Sequence, residues 1–165
     1  MTARARAPSS AFQERSRFFG PIPTGAIATI FDWARRWPGS LESAEVVFFQ
    51  TGDRMNTVPS DATAFVHRDS HWPPSISVNW GADDTQAVVQ SNLDWQAGLY
   101  GELLAFTRGG AYQNFPDPSL TDWKQAYYGT NLKRLEAIKS SVDPLFFFRF
   151  DQAIPPTGWE HGRRG

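Results

Sequence analysis

The chain has no cysteine among its 165 residues, which excludes disulfides, thiolate metal sites and a cysteine nucleophile. Histidine is almost as scarce. His67, His71 and His161 are the only three, too few for a histidine-rich metal site, and no metal is expected. No apolar run approaches the roughly 18 residues that a membrane-spanning helix requires, so no membrane partner is expected. The formal net charge of −1 lacks the basic surplus that a nucleic-acid partner or an anionic membrane demands. The opening residues, MTARARAPSSA, are basic and polar, without the apolar centre and small-residue end of a secretory signal. The expected location is cytoplasmic, although the missing cysteine does not itself decide the compartment.

What is present is a globular composition: 41% apolar and 20% charged residues, in a length that suits one domain with its own core. Aromatic side chains are abundant, with 13 Phe, 7 Trp and 4 Tyr. Two uses are open for them: filling the core, or lining a flat apolar ligand pocket.

Patterning predicts an α+β fold, an antiparallel sheet covered on one side by helices, followed by a C-terminal helical segment. Residues 1–11 read as a disordered lead and 157–165 as a flexible tail. Arg15–Phe19 is a short candidate strand stopped by Gly20-Pro21. Thr24 is the expected cap of a helix to about Trp37, where Pro38-Gly39 ends it. Ala44–Gln50, Arg54–Val58, Thr63–His67 and Ile76–Trp80 are expected strands, the first two as a hairpin about Gly52. His67-Arg68 reads as a strand-end pair facing solvent, with a pocket edge as the other option. Asp83 or Asp84 is the expected cap of a long helix to about Thr107. Its stripe holds Val88, Trp95, Leu99, Leu103 and Phe106, with Val89, Leu93, Tyr100 and Leu104 beside it. Further helices are expected over 120–127 and 132–142, broken at Gly129, with Asn131 placed to cap the last one.

Between the long helix and these stands GGAYQNFPDPSL (109–120). Together with W-x3-YYG-x-N-x2-RL at 123–135, then Lys139, Asp143-Pro144, Phe147 and Gln152-x-Ile154-Pro155, it resembles the end of the berberine bridge enzyme family. Those are FAD-linked oxidases of the vanillyl-alcohol-oxidase superfamily. A glycine turn at Gly52, TAFVHR at 63–68 and a strand ending in Trp80 resemble the family's substrate domain. The resemblance implies a substrate-domain-like region over 12–108, a berberine-bridge-enzyme-like segment over 109–156, and no main flavin-binding domain.

The resemblance also implies the chemistry of an FAD-dependent oxidoreductase acting on a small organic substrate, with FAD bound only where a flavin domain is supplied in trans, as a separate subunit. The family's base is a tyrosine at the position of Phe115, which has no proton to exchange. A second polar position aligns with Pro73. Tyr112 is a weak replacement, because in an extended Ala111–Phe115 it points away from position 115; His71 is the other weak catalytic candidate. Tyr112, Asn114, Tyr128 and Asn131 are the implied cofactor-side residues. Phe115, Trp72, Ser77 and Asn79 are the implied substrate-pocket residues. The Phe-rich end, FFFRF, reads as an apolar surface needing cover from a partner subunit, a homodimer or repacking. The alternative reading is a stand-alone, flavin-free domain, binding a small molecule or acting as a cyclase in an aromatic pocket.

Overall fold

Alternating β-formers and small polar residues make Pro74–Trp80 (PSISVNW) a strand, β3, the central one of three. The computed structural model describes residues 11–159, so residues 1–10 of the expected lead and 160–165 of the expected tail lie outside the described residues. Strands β1 (Ala11–Ser16) and β2 (Ala44–Phe48) both pair with β3 antiparallel. They therefore run parallel to each other, joined by helix α1 (Thr24–Arg35) in a split βαβ arrangement. Proline is tolerated in this central strand because Pro74 is its first residue. Ile76 and Val78 are buried in one core with α1 and with α2 (Gln86–Leu103). The other face carries Ser77, opposite Glu14 on one side and Glu45 on the other. This is the expected α+β class with helices on one side.

Two expected strands do not form. Asp53–Met55 is a 3-10 turn, the rest of 54–58 is turn and bend, and 63–67 is a bend followed by irregular chain. Side chains take the carbonyls that a ladder would have used. Arg68 Nε and Nη1 donate to Phe65 O at 3.2 Å and Met55 O at 3.1 Å. Asn131 Nδ2 donates to Ser60 O at 2.6 Å and Thr63 O at 3.0 Å. Asn131 thus anchors this loop, and its side chain does not cap the following helix. Strand β1 lies earlier than expected and stops at Ser16, opposite Ser75, where the Pro73-Pro74 pair has no N–H to continue the ladder. Phe19 then forms an isolated bridge with Trp72.

The helix starts shift by a residue or two. Pro23, not Thr24, occupies the cap position of α1. Thr85 caps α2 by accepting Val88 N–H at 3.3 Å, while the Asp84 carboxylate accepts the Gly81 and Leu41 N–H groups at 2.9 and 3.1 Å. Trp95, Leu99, Tyr100 and Leu103 are buried as the stripe predicts. Two amides join them, since Asn92 and Gln96 are both 0% exposed. Asn92 accepts Trp37 Nε1–H at 2.7 Å and donates to Gly39 O at 2.8 Å, fixing the end of α1. Gln96 Nε2 donates to Gln13 O at 2.9 Å and Ile76 O at 2.7 Å, fixing β1 and β3. Gly98 is required where the helices cross, because a Cβ there would lie 2.0 Å from the Trp33 ring.

After the turn at Leu104–Phe106 come α3 (Trp123–Tyr128), a 3-10 turn at Gly129–Asn131 and α4 (Leu132–Val142). None of the α4 residues is fully buried. Its apolar stripe continues into Leu145, Phe147, Phe148 and Phe150, which are 82, 79, 73 and 71% exposed. Asp143 holds this outward turn by pairing with Lys139 Nζ at 2.6 Å and accepting the Phe147 and Phe148 N–H groups at 2.8 and 3.0 Å. The start of the expected flexible tail is tied down: Thr157 N–H donates to Ser140 Oγ at 2.7 Å, and Trp159 packs edge-on to Phe146.

Candidate substrate cavity

Residues 110–112 set the course of the 109–118 segment through three hydrogen bonds. Gly110 O accepts Phe18 N–H at 3.3 Å, Ala111 N–H donates to Ala126 O at 2.8 Å, and Tyr112 N–H donates to Ser16 Oγ at 2.9 Å. The segment is thereby held between the end of β1 and α3. It then turns instead of extending, with Phe115 N–H donating to Tyr112 O at 3.0 Å. The turn corrects the expectation that positions 112 and 115 face opposite ways: their rings meet edge-to-face with centroids 5.1 Å apart.

These two rings close a cavity of about 560 Å³. Phe18, Phe49 and Phe65 complete an aromatic wall around them, each with a ring centroid within 6.4 Å of Tyr112 or Phe115. Met55 and Pro73 add apolar surface. The residues with polar groups are Thr51, Arg68, Tyr112 and Gln113, and no carboxylate or imidazole lines the wall. Arg68 spends its guanidinium on protein oxygens, adding Thr63 Oγ1 at 2.6 Å to the two carbonyls above, and lies 4.8 Å from the Phe65 ring centre.

A buried ion pair keeps this segment on the sheet. Arg15 Nε donates to Asp117 Oδ2 at 2.8 Å, with the two side chains 12 and 2% exposed. Asp117 Oδ1 also accepts from Ser119 N–H at 2.9 Å and Ser119 Oγ–H at 2.6 Å. Tyr127 Oη accepts Asp117 N–H at 2.9 Å, and Gln152 Nε2 donates to Asp117 O at 2.7 Å. One loop is thus bonded to β1, α3 and the C-terminal stretch.

His67 backs the cavity and does not face solvent, contrary to the favoured expectation. Its ring stacks on Phe18 at 4.1 Å and meets Phe65 edge-on at 5.4 Å, and its Nε2 is buried without a partner. Burial holds its pKa below the usual 6.5, against the smaller opposing pull of the Tyr127 and Ala111 backbone and of Asp69. The unfolded chain takes up this proton near pH 6.5 and the folded chain only at lower pH. The stability His67 contributes is therefore complete above 6.5 and falls as pH drops through that range, by at most about 1.4 kcal/mol per pH unit. Urea midpoints measured from about pH 7.5 down to about pH 5.5 should decline accordingly, and His67→Gln should flatten that decline.

Of the residues expected at the site, only Tyr112 and Phe115 line this cavity. Asn114 is exposed and donates through Nδ2 to Tyr112 Oη at 3.0 Å. Trp72 packs on the main core, and His71 is exposed, its backbone bonded to Phe19 and Thr51. Ser77 and Asn79 lie on the open sheet face with Glu14 and Glu45. Tyr128 packs against Trp123 and Tyr127, and burial raises its pKa. Phe18, Phe49, Phe65 and Gln113 went unrecognised, because they come from separate stretches that no local pattern joins; Pro73 was marked by alignment to a polar family position.

The three-stranded sheet with helices on one face, together with the segment that follows it, superposes on solved berberine-bridge-enzyme-like structures. The profile of the family described as berberine and berberine like matches residues 111–155. The FAD-linked oxidoreductase YgaK of Bacillus subtilis is 34% identical over 82% of this chain, which covers 29% of that relative. Aclacinomycin-N/aclacinomycin-A oxidase of Streptomyces galilaeus is 32% identical over 69% of the chain and 24% of its own length. Among solved structures, berberine bridge enzyme from Eschscholzia californica superposes with a TM-score of 0.82 over 92% of this chain and 34% of that one, at 22% identity. BBE-like 1 of Physcomitrella patens superposes with a TM-score of 0.76 at 25% identity, over 89% of this chain and 31% of its own. The chain belongs to the berberine-bridge-enzyme-like family of FAD-linked oxidoreductases, and it spans about three tenths of the length of these relatives.

The described residues do not fit a whole FAD. A dinucleotide needs a cradle of free backbone N–H groups for its pyrophosphate. At Gly110 the His67 ring occupies the approach, 2.7 Å from a built Cβ, and the Gly109-Gly110 pair leads into a turn and not into a helix N-terminus. Tyr128 and Asn131 are spent on packing and loop anchoring. Among the described residues no cluster of His, Asp or Glu is placed to hold a metal ion, and no helix is long and apolar enough to cross a membrane.

Proposed function

We propose that this chain is the substrate-binding part of an FAD-linked oxidoreductase, and that its aromatic cavity receives a small, mainly apolar organic compound. The flavin is supplied by residues outside those described or by a separate subunit. One observation carries this reading: the Tyr112–Phe115 turn, inside the family-matching segment, is what closes the 560 Å³ aromatic cavity. Two further features support it. Among the described residues no helix lies over the sheet face that bears Glu14, Ser77 and Glu45, and Leu145, Phe147, Phe148 and Phe150 all stand exposed beyond α4. Both are suited to covering by a flavin-binding portion. The relatives' names include oxidases of aclacinomycins and of tetrahydroberberine, too diverse to transfer one substrate.

The second reading, a flavin-free binding domain, is favoured by Phe115 and Pro73 standing where a proton acceptor would. Mixing the purified chain with an FAD-loaded flavin-binding portion of YgaK, and following visible flavin absorbance through size exclusion, distinguishes the two.

A further inference from the structure

Two rings of the cavity wall are held by a titratable side chain that does not itself line the cavity. His67 is buried, its ring wedged between Phe18, stacked at 4.1 Å, and Gly110, where a built Cβ would lie 2.7 Å from Nδ1. Phe65 meets the same ring edge-on at 5.4 Å. Phe18 and Phe65 both line the cavity, so the imidazole props both of them. It does so well only while neutral. Protonation makes both ring nitrogens donors, and Nε2 has no partner where it lies. A charge buried between two phenyl rings without an acceptor is costly.

The surrounding groups do not hold the charged form in place. Arg68, next in the chain, adds like charge and is committed to Phe65 O, Met55 O and Thr63 Oγ1. The Tyr127 and Ala111 backbone and the Asp69 carboxylate favour the proton, but burial outweighs all three. A better place lies beside the ring. His67 also lines a second hollow, of about 260 Å³, with Asp69, Ser70, Arg108 and Gln125, and Phe18 is the one residue that lines both spaces. Asp69 is exposed there, 3.6 Å from Arg108, so an imidazolium that moved into the hollow would compete with Arg108 for a hydrated carboxylate. We propose that His67 is an acid-operated latch on the cavity wall: neutral, it holds Phe18 and Phe65 in place, and protonated, it swings to the Asp69 side and lets 63–70 and 109–112 part while the core stays folded. The latch goes beyond the substrate reading, since it holds for whichever compound the cavity receives.

Amide hydrogen exchange of the full chain at pH 7.5 and 5.5, corrected for intrinsic rate, tests the latch. The hydrogen-bonded amides of Phe65, Arg68, Ala111 and Tyr112 report on the two segments. Their protection should fall about tenfold over that range, the factor for uptake of one proton by a histidine of ordinary pKa in the opened state. The exchange should be insensitive to urea below the unfolding transition, because local opening exposes little surface. Val78 and Leu99, both 0% exposed in the core, should exchange more slowly and with the urea dependence of global unfolding. In His67→Gln the pH effect on the segments should vanish. Segment amides that exchange at the rate and urea dependence of Val78 would show that His67 leaves only when the whole fold does, which overturns the latch without any variant. A change below about twofold overturns it too, as does the same loss of protection in a folded His67→Gln protein.

Discussion

Asp117→Ala should cost this protein about 3–5 kcal/mol, the range for removing one partner of a buried ion pair. The reason lies in what remains. Arg15 is only 12% exposed, so its guanidinium would stay largely buried, close to the Tyr100 ring, with its carboxylate gone. Ser119 would lose the acceptor for both its N–H and its hydroxyl. Asp117→Asn keeps an acceptor oxygen for Arg15 and should lose about half as much. Urea denaturation gives the magnitudes, and proteolysis within 109–120 should accelerate in Asp117→Ala as the segment leaves β1. A loss below about 1 kcal/mol would show that the pair does not hold the segment.

Gly110→Ala should cost about 2–5 kcal/mol, from two additive sources. Gly110 has φ +72, a left-handed conformation that costs an ordinary residue about 1–2 kcal/mol. Its added Cβ would also lie 2.7 Å from the His67 ring, and such overpacking costs about 1–3 kcal/mol. Gly109 separates the terms. Its φ is +76, but no atom lies within 4 Å of a built Cβ. Gly109→Ala should therefore show the backbone cost alone, about 1–2 kcal/mol. In a His67→Ala background the excess cost at Gly110 should vanish, which a double-mutant cycle measures directly. Because Gly110 leads into Tyr112, the same substitution should also weaken ligand binding in the aromatic cavity.

The helices were legible because their apolar spacing and their stops are local. Helix α4 runs over 132–142 as expected, and α2 buries Trp95, Leu99 and Leu103. Asn92 and Gln96 could not be seen as core from a polar reading of their side chains; they are buried because each satisfies backbone carbonyls that packing had cut off from water. The 54–58 and 63–67 stretches have strand-like residues but no ladder partner, since Arg68 and Asn131 occupy their carbonyls from outside. The family motif points to the loop that lines the cavity, and within it to Tyr112 and Phe115. It did not show that the loop turns there, because one hydrogen bond from Phe115 N–H to Tyr112 O reverses what two-residue alternation predicts. The rest of the cavity wall is tertiary: Phe18, Phe49 and Phe65 meet only once the sheet and the 49–68 excursion are in place.

The central claim is that this chain supplies the substrate cavity to a flavin held elsewhere. Size exclusion of the chain mixed with the FAD-loaded portion of YgaK, read by visible absorbance, tests it most directly. Flavin colour is expected to move to an earlier-eluting complex containing both proteins, and a small, mainly apolar organic compound is expected to bind that complex. A colourless, monodisperse chain that stays apart from the flavin portion, yet binds the same compound alone, would contradict it.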